Sequence, residues 1–270
     1  MSSASHGRRD SSARPENHHR RAFPCTALAA LLTVCLPASV LAADCPPLRE
    51  PRIPPVTVPI DPMDPVNINT IKKQLKDYQA GNYEYDIGAV LADARVYAER
   101  RAAQVSMPAV VLDIDETSLS NWPNIKADDF GFINNIQCST DQTQPCGFNN
   151  WVGTGTAPAI VPTREFFDAI VAQGVAVFFI TGRLESQRAV TIDNLERAKF
   201  KGWTKLIMLP DADKTKPIST FKSGARAGIE HDGYTIIANI GDQFSDLAGD
   251  AGGAHAECKF KVPNPFYFIP

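Results

Sequence analysis

An α/β fold, with a parallel sheet covered by helices on both faces, is the architecture that this 270-residue sequence predicts. Two observations carry that expectation. Beyond residue 100, short apolar runs of strand length alternate with amphipathic helical patterns, the rhythm of β-α-β units. Three of those runs end in polar signatures: Asp113-Ile-Asp115, Thr181-Gly-Arg183 and Gly241-Asp242-Gln-Phe-Ser-Asp246. In open sheets of this class, ligands bind beyond the carboxyl ends of the strands, so the three signatures converge on one site.

The first 42 residues differ in composition from the rest. Arg8, Arg9, Arg14, Arg20 and Arg21 precede an apolar stretch from Ala27 to Leu41, and Val40-Leu41-Ala42 resembles a small-residue cleavage site. Residues 1–42 therefore read as an export signal that is removed, which places the mature chain in the periplasm or outside the cell. The apolar stretch is short for a membrane span and contains Pro37, and no cysteine sits where a lipid anchor would need it. A stable membrane anchor is not expected. The general secretory route is the default expectation, with a twin-arginine route as the alternative, since Arg20-Arg21-Ala22-Phe23 resembles the start of such a signal.

Without the leader, 22 basic and 28 acidic residues remain, a net charge of −6. That balance argues against nucleic-acid polymers or anionic membranes as the main partner. Four cysteines remain: Cys45, Cys138, Cys146 and Cys258. An even number in an exported chain points to disulfides, and with only His231 and His255 to assist, no zinc site takes shape. Four cysteines allow three pairings. The preferred one closes Cys138–Cys146 as a short loop and ties Cys45 to Cys258.

Residues 43–66 are proline-rich and predict an extended arm. Ile68, Ile71, Leu75 and Tyr78 recur at helical spacing and stop at Gly81; Ile87, Val90, Leu91, Ala94 and Ala98 form a second stripe. Strands are expected at Ala109–Leu112, Val175–Ile180, Leu206–Leu209, Thr235–Ile240 and Cys258–Val262. Helices are expected between them at Thr163–Gln173, Glu185–Lys199 and about Ser219–Glu230, with Thr163 and Gly174 as start and stop signals. Residues 118–161 break the alternation and look like an insertion over the strand ends. The insertion is crowded with aromatics: Trp122, Phe130, Phe132, Phe148 and Trp151. Most of them are accounted for by a small local core, leaving one or two to face the cleft.

Asp113 and Asp115 close the strongest apolar run, Val110-Val-Leu. Residues i and i+2 of a strand point to the same side, so the two carboxylates leave the strand end together. Held that close, they repel unless a cation lies between them or one is protonated, an arrangement that asks for a divalent metal. Each signature taken singly has a plain structural reading, since Asp is common in turns and lysines are usually solvated. Only their coincidence at one sheet edge argues for chemistry.

Asp113-Ile-Asp115-Glu-Thr117, Ile180-Thr181-Gly-Arg183, Lys222 and Gly241-Asp242-Gln-Phe-Ser-Asp246 fall in the order of the four motifs of the haloacid dehalogenase (HAD) superfamily. The chain resembles its subfamily IIIB, which includes plant vegetative storage proteins and bacterial non-specific acid phosphatases. Asn121, Phe221-Lys-Ser223, Gly233-Tyr-Thr-Ile236 and the ending Lys261-Val-Pro-Asn-Pro-Phe-Tyr-Phe268 strengthen the likeness, which runs from about Asn67 to the C-terminus. The resemblance implies a HAD-like Rossmannoid sheet over residues 67–270 with a small cap insertion at about 118–161. It also implies an Mg²⁺-dependent acid phosphatase acting on small phosphomonoesters through an aspartyl-phosphate. Asp113 would be the nucleophile, and Asp115 the group that protonates the leaving oxygen and then activates water. Thr181 and Gly182 would bind phosphoryl oxygens and Lys222 would supply positive charge, with Lys214 and Lys216 as alternatives for that lysine. Mg²⁺ would be held by Asp113, the carbonyl of Asp115, Asp242 and Asp246. Trp122, close to the first motif, is the leading candidate to stack on an aromatic leaving group, such as that of an aryl phosphate or nucleoside monophosphate. A catalytically weak storage or binding protein of the same fold is the competing expectation. No motif bears on oligomeric state.

Overall fold

The computed structural model describes residues 44–49, 67–134, 147–249 and 253–269. The segment read as an export signal, most of the proline-rich segment, and Cys138 and Cys146 lie outside the described residues.

Two helices open the domain, as the spacing of their apolar residues predicts. Helix α1 (Ile68–Gly81) starts at Asn67, whose side chain accepts the Asn69 N–H. It is followed directly by α2 (Tyr83–Ala102), whose buried face carries Ile87, Val90, Leu91, Ala94 and Ala98, the stripe read from the sequence. Strand β1 (Pro108–Leu112) then enters the core. Within the insertion lie two short helices, α3 (Trp122–Ala127) and α4 (Phe148–Thr154).

Helix α5 (Val161–Ala172) begins two residues before the expected start. Thr163 is not its cap: it is fully buried, and its hydroxyl donates to the Thr117 carbonyl at 2.6 Å, tying α5 to the turn after β1. Gly174 does follow the helix end, at φ +75°, a conformation that glycine adopts without a Cβ penalty. Strand β2 (Ala176–Leu184) runs four residues past the expected Ile180 and carries the Thr181-Gly182-Arg183 signature on the strand itself, not after it. The register shift opposite β3 (Lys205–Leu209), between Thr181 and Leu184, allows this. A 3₁₀ turn at Glu185–Gln187 leads into α6 (Arg188–Arg197), so the single helix expected there is two pieces. Then come α7 (Ile218–His231), β4 (Thr235–Gly241), the one-turn α8 (Phe244–Leu247) and β5 (Cys258–Lys261).

The strand order is β3-β2-β1-β4-β5, with every pairing parallel. The chain winds from β1 outward through β2 to β3, then returns to the other side of β1. The reversal point of the topology therefore lies between β1 and β4, where a crevice opens at the strand ends. Alternate residues of β1 serve the two faces. Val110 and Leu112 join the large core with α2 and α5, while Ala109 and Val111 pack with Ile229 and Phe221 of α7. A strand buried on both sides must be apolar throughout, which is why this run lacks alternation.

Cys45 and Cys258 are disulfide-bonded, with Cα atoms 5.5 Å apart. The bridge joins residues 213 apart in sequence and ties the start of the arm to β5. On chain-entropy grounds a loop of that length contributes about 5 kcal/mol, less any native strain. Arg101 of α2 reinforces the same edge through Glu257, at 2.6 Å. Among the described residues, no helix is long and apolar enough to cross a membrane.

Candidate active site

Asp113 follows β1 directly, and its backbone N–H still belongs to the sheet, donating to Ile240 of β4 at 3.0 Å. The chain then turns sharply: the N–H groups of Ser118 and Leu119 return to the Ile114 carbonyl, and Glu116 sits at φ +56°. A side-chain-bearing residue in that region is strained and needs outside support. Glu116 receives it, accepting hydrogen bonds from the Tyr83 hydroxyl of α2 and from the Asn121 N–H. The Ser118 hydroxyl donates to the Asp113 carbonyl at 2.6 Å. The turn that carries both aspartates is thus held from three directions.

Three carboxylates meet at the reversal point. Oxygens of Asp113, Asp242 and Asp246 lie within 4.8 Å of one another, and all three residues are buried. Lys222, reaching from α7, donates to Asp113 at 2.6 Å and to Asp246 at 2.5 Å. Of the three candidate lysines, the structure brings Lys222 into the carboxylate group, while Lys214 reaches only the cavity wall and Lys216 pairs with Asp213. Asp242 is oriented by Thr117 at 3.1 Å, by Gln243 at 2.5 Å and by Asn264 at 2.7 Å. Asp246 accepts the Gln243 N–H at 2.8 Å, and its carbonyl is held by Arg226 and Asn239. Gly241 has to be glycine, because a Cβ there would overlap the Asp246 side chain.

One lysine against three buried carboxylates leaves the group short of positive charge, and burial adds to the cost of ionising it. Burial pushes Asp113 well above the usual carboxylate range, against the pull of Lys222, and the neighbouring aspartates push in the same direction as burial. Burial, with Asp246 next, raises Asp242 to about 6. Burial opposes the charge on Lys222, but Asp113 and Asp246 together hold it above the ordinary lysine value. A compact set of hard oxygen donors with excess negative charge fits a divalent cation. Asp113, Asp242 and Asp246 would hold it.

This charge deficit has a consequence for stability. Burial also raises Glu116 to about 8. Groups whose folded values lie above their unfolded ones keep protons that the unfolded chain has released, so their contribution is fully present at acid pH and is lost as pH rises. The window set by Asp242 and Glu116 runs from the ordinary carboxylate range up to about 6 and about 8. Chelator-treated protein should therefore melt higher at about pH 5 than at about pH 8.5, and a divalent cation should recover more at the higher pH. Depressed carboxylates such as Glu257, held down by Arg101, work in the opposite sense only below that window. Thermal melts that stay flat or rise toward alkaline pH would contradict the charge deficit.

The Asp115 carboxylate stands apart from the three clustered carboxylates, while its carbonyl remains the metal ligand that the resemblance implies. The two carboxylates of the first motif do leave the strand end near each other, but no shared cation is needed to reconcile them. Asp115 is neutralised by Arg183, whose Nη2 donates to Oδ1 at 2.7 Å. The carboxylate partners of Asp113 come instead from the far end of β4. Arg183 has a fully buried side chain.

A cavity of about 660 Å³ opens over these groups. Its polar floor includes Asp113, Asp115, Gly182, Lys222, Asp242 and Asp246. Thr181 does not line it: the residue is fully buried, and its hydroxyl oxygen accepts the Arg183 N–H at 3.1 Å. The Gly182 backbone does line it, next to Ile218. Trp122, the sequence candidate for stacking, is not among the lining residues. Its ring packs on Phe130 of the insertion and on Phe266 near the C-terminus, at centroid distances of 5.8 and 5.1 Å, against the main core. The aromatic wall is built instead from Phe132, Phe148 and Tyr267, with Phe132 lying 5.5 and 5.3 Å from the other two. Sequence reasoning missed Tyr267 and Asn264, which arrive from the chain's last residues, and the pairing role of Arg183. For Arg183 a signal existed, since it stands two residues from Thr181 on a continuing strand.

Comparison with known proteins gives the arrangement its class. The tomato (Solanum lycopersicum) acid phosphatase 1 is 34% identical over 197 residues, covering 72% of this chain and 73% of its own. Vegetative storage protein 2 of Arabidopsis thaliana is 30% identical over 213 residues, covering 76% of each. The class C acid phosphatase of Bacillus anthracis superposes with a TM-score of 0.56 over 71% of this chain and 82% of its own, at 24% identity, a likeness of fold. With that sheet and that family, the protein is a phosphomonoester hydrolase. The family model for HAD superfamily, subfamily IIIB (acid phosphatase) matches residues 58–270, and the chain belongs to that family.

Proposed function

We propose that the chain is an exported, Mg²⁺-dependent acid phosphatase that hydrolyses phosphomonoesters through an aspartyl-phosphate on Asp113. The observation that carries this reading is the position of Lys222, bridging Asp113 and Asp246 on the floor of an open cavity with Asp242 alongside. Asp113 is the nucleophile; its carboxylate oxygen attacks phosphorus, and the ester splits into two easier steps. Lys222 faces both the nucleophile and the phosphoryl oxygens, where charge builds up in the transition state. The Gly182 backbone, bare of a Cβ, lets a phosphoryl oxygen approach the strand end, which the Thr181 hydroxyl helps to hold by accepting the Arg183 N–H. Asp115, at the cavity wall, gives a proton to the leaving oxygen and later takes one from water. The cation, when bound, supplies charge that offsets the phosphate and the carboxylates together. Mg²⁺ suits an all-oxygen donor set open to solvent.

Domain limits follow the same reading: a leader at 1–42, an arm at 43–66, and the catalytic domain at 67–270 with its cap at about 118–161. The Cys45–Cys258 disulfide supports export, since such bonds persist in oxidising compartments. Small phosphomonoesters are the partners, and the negative mature chain argues against nucleic-acid polymers.

Phosphate release measured with and without a chelator tests the activity and its metal dependence. Chelator-insensitive release would remove the cation from the scheme. No release at any cation concentration would favour the storage reading, suggested by the name of the Arabidopsis relative.

Leaving-group choice falls to the aromatic wall. Stacking on one ring contributes roughly 1–3 kcal/mol, so aryl phosphates and nucleoside monophosphates should exceed small aliphatic phosphates in kcat/KM by about tenfold or more. Phe132→Ala should erase most of that preference, whereas Trp122→Ala, outside the cavity lining, should leave the ratio unchanged. The reverse pattern would return the role to Trp122.

A further inference from the structure

Asp115 is the most heavily supported side chain at the cavity wall, and its support is uneven between the two oxygens. Oδ1 accepts from Arg183 Nη2 at 2.7 Å, from Asn121 Nδ2 at 3.0 Å and from Arg183 Nε at 3.2 Å. Among the described residues, Oδ2 accepts only from Arg183 Nε, at 3.1 Å. An oxygen already surrounded by N–H donors has no lone pair left for a proton.

Both supporting groups are themselves locked. Arg183 has a fully buried side chain and does not line the cavity, although its neighbours Gly182 and Leu184 do. It lies behind Asp115 and not in front of a substrate. Asn121 is buried, and its Oδ1 accepts the Trp151 indole N–H at 2.8 Å. Indole can only donate, so the amide orientation is settled: the NH₂ of Asn121 faces Asp115. The Asn121 backbone N–H is in turn held by Glu116.

We infer that Arg183 and Asn121 are positioning residues that occupy Oδ1 of Asp115 and leave Oδ2 as the single oxygen that exchanges protons. The inference rests on the proposed role of Asp115. In the first step a carboxylate oxygen of Asp113 bonds to phosphorus and the P–O bond to the leaving group breaks. The electron pair stays on the leaving oxygen, which takes the proton from Oδ2 and departs as an alcohol. In the second, water bonds to phosphorus and gives its proton to Oδ2. The acyl-phosphate P–O bond breaks, and its pair returns to Asp113 as phosphate leaves. A carboxylate free to rotate would present either oxygen at the wrong angle for both transfers; the guanidinium fork prevents this.

The test is a series of phosphate esters of graded leaving-group acidity, from alkyl to dinitrophenyl, read as kcat/KM so that formation of the phosphoenzyme is reported. A dinitrophenolate leaves without help, whereas an alkoxide does not. Arg183→Gln and Asn121→Ala should lose about 100-fold toward alkyl phosphates and less than about 3-fold toward the dinitrophenyl ester. Inhibition by inorganic phosphate should stay within about 2-fold, because neither residue is assigned to the phosphoryl group. A uniform loss across the series in protein of normal melting temperature would overturn the inference, as would weakened phosphate inhibition, which would make Arg183 a substrate ligand. Should Arg183→Gln not fold, Arg183→Lys, which keeps the buried cation but not the fork, carries the same comparison. Asp115→Asn run in parallel separates the two levels. If it too loses uniformly, the role of Asp115 fails; if it alone loses selectively, only the positioning fails.

Discussion

Asp113→Asn should lower phosphate release by about 10⁴-fold or more while leaving the protein folded. The amide is nearly the same size and can still accept from Lys222 at the position that Oδ1 occupies, 2.6 Å from the ammonium. It cannot form an acyl-phosphate, and one charged ligand is lost from the metal group. Stability should hold or rise. Burial drives the Asp113 carboxyl well above its usual range, so the charge is a cost to folding that the amide removes. Substrate saturation kinetics and a thermal melt check both halves. Activity within tenfold of the parent would rule out Asp113 as the nucleophile.

Lys222→Met should reverse that balance of effects. Methionine fills the stem's volume but leaves Asp113 and Asp246 facing each other, buried, without the cation that bridges them at 2.6 and 2.5 Å. Breaking a buried pair by removing one partner typically costs about 3–5 kcal/mol, because a charge is left uncompensated. The rate should fall by about 10²–10³-fold through loss of transition-state charge stabilisation. A divalent cation should restore part of the stability, since it supplies charge to the same carboxylates, but not the rate. Denaturant melts across a metal titration, with kinetics at each point, separate the two contributions. An unaltered melting curve in the cation-free protein would show that the carboxylates were already protonated and never needed the lysine.

The two variants differ because stability and chemistry ask different things of one cluster. Function requires several negative groups close together and largely buried; folding prefers none. The fold supplies outside support to hold them: Tyr83 under the strained Glu116, Arg226 and Asn239 on the Asp246 carbonyl, and Asn264 on Asp242. Such supports cluster where local conformation is least favourable.

Much of this was legible in one dimension. The apolar run before Asp113 has no alternation because β1 is buried on both faces, and burial on both faces requires a parallel sheet between helix layers. The stripe of α2 appears at helical spacing because that helix buries one face, whereas in α1 Tyr78 is buried and Ile68 and Ile71 stay exposed. Asp113, Lys222, Asp242 and Asp246 were readable because their roles demand particular residue types at strand ends and on the helix beside them. Boundaries were less legible. The β2 strand continues through Gly182 only because a register shift against β3 accommodates it, and Thr163 is drawn into a hydrogen bond with Thr117 in preference to capping its own helix.

What the sequence by itself determined, then, is the layer architecture, the strand ends that carry chemistry and most of the charged groups there, since periodicity and residue type are local properties. Only the tertiary structure decided which of those groups meet. Asp115 and Asp113 are neighbours in sequence, yet one pairs with Arg183 and the other with Lys222, because Arg183 lies behind the β1 turn while α7 reaches the other side. The aromatic wall takes Tyr267 from the chain's end and Phe132 and Phe148 from the insertion, while Trp122 turns into the core. Such choices depend on contacts between segments far apart in sequence, 68 residues for Asp115 and Arg183 and 109 for Asp113 and Lys222, and spacing along the chain carries no record of them.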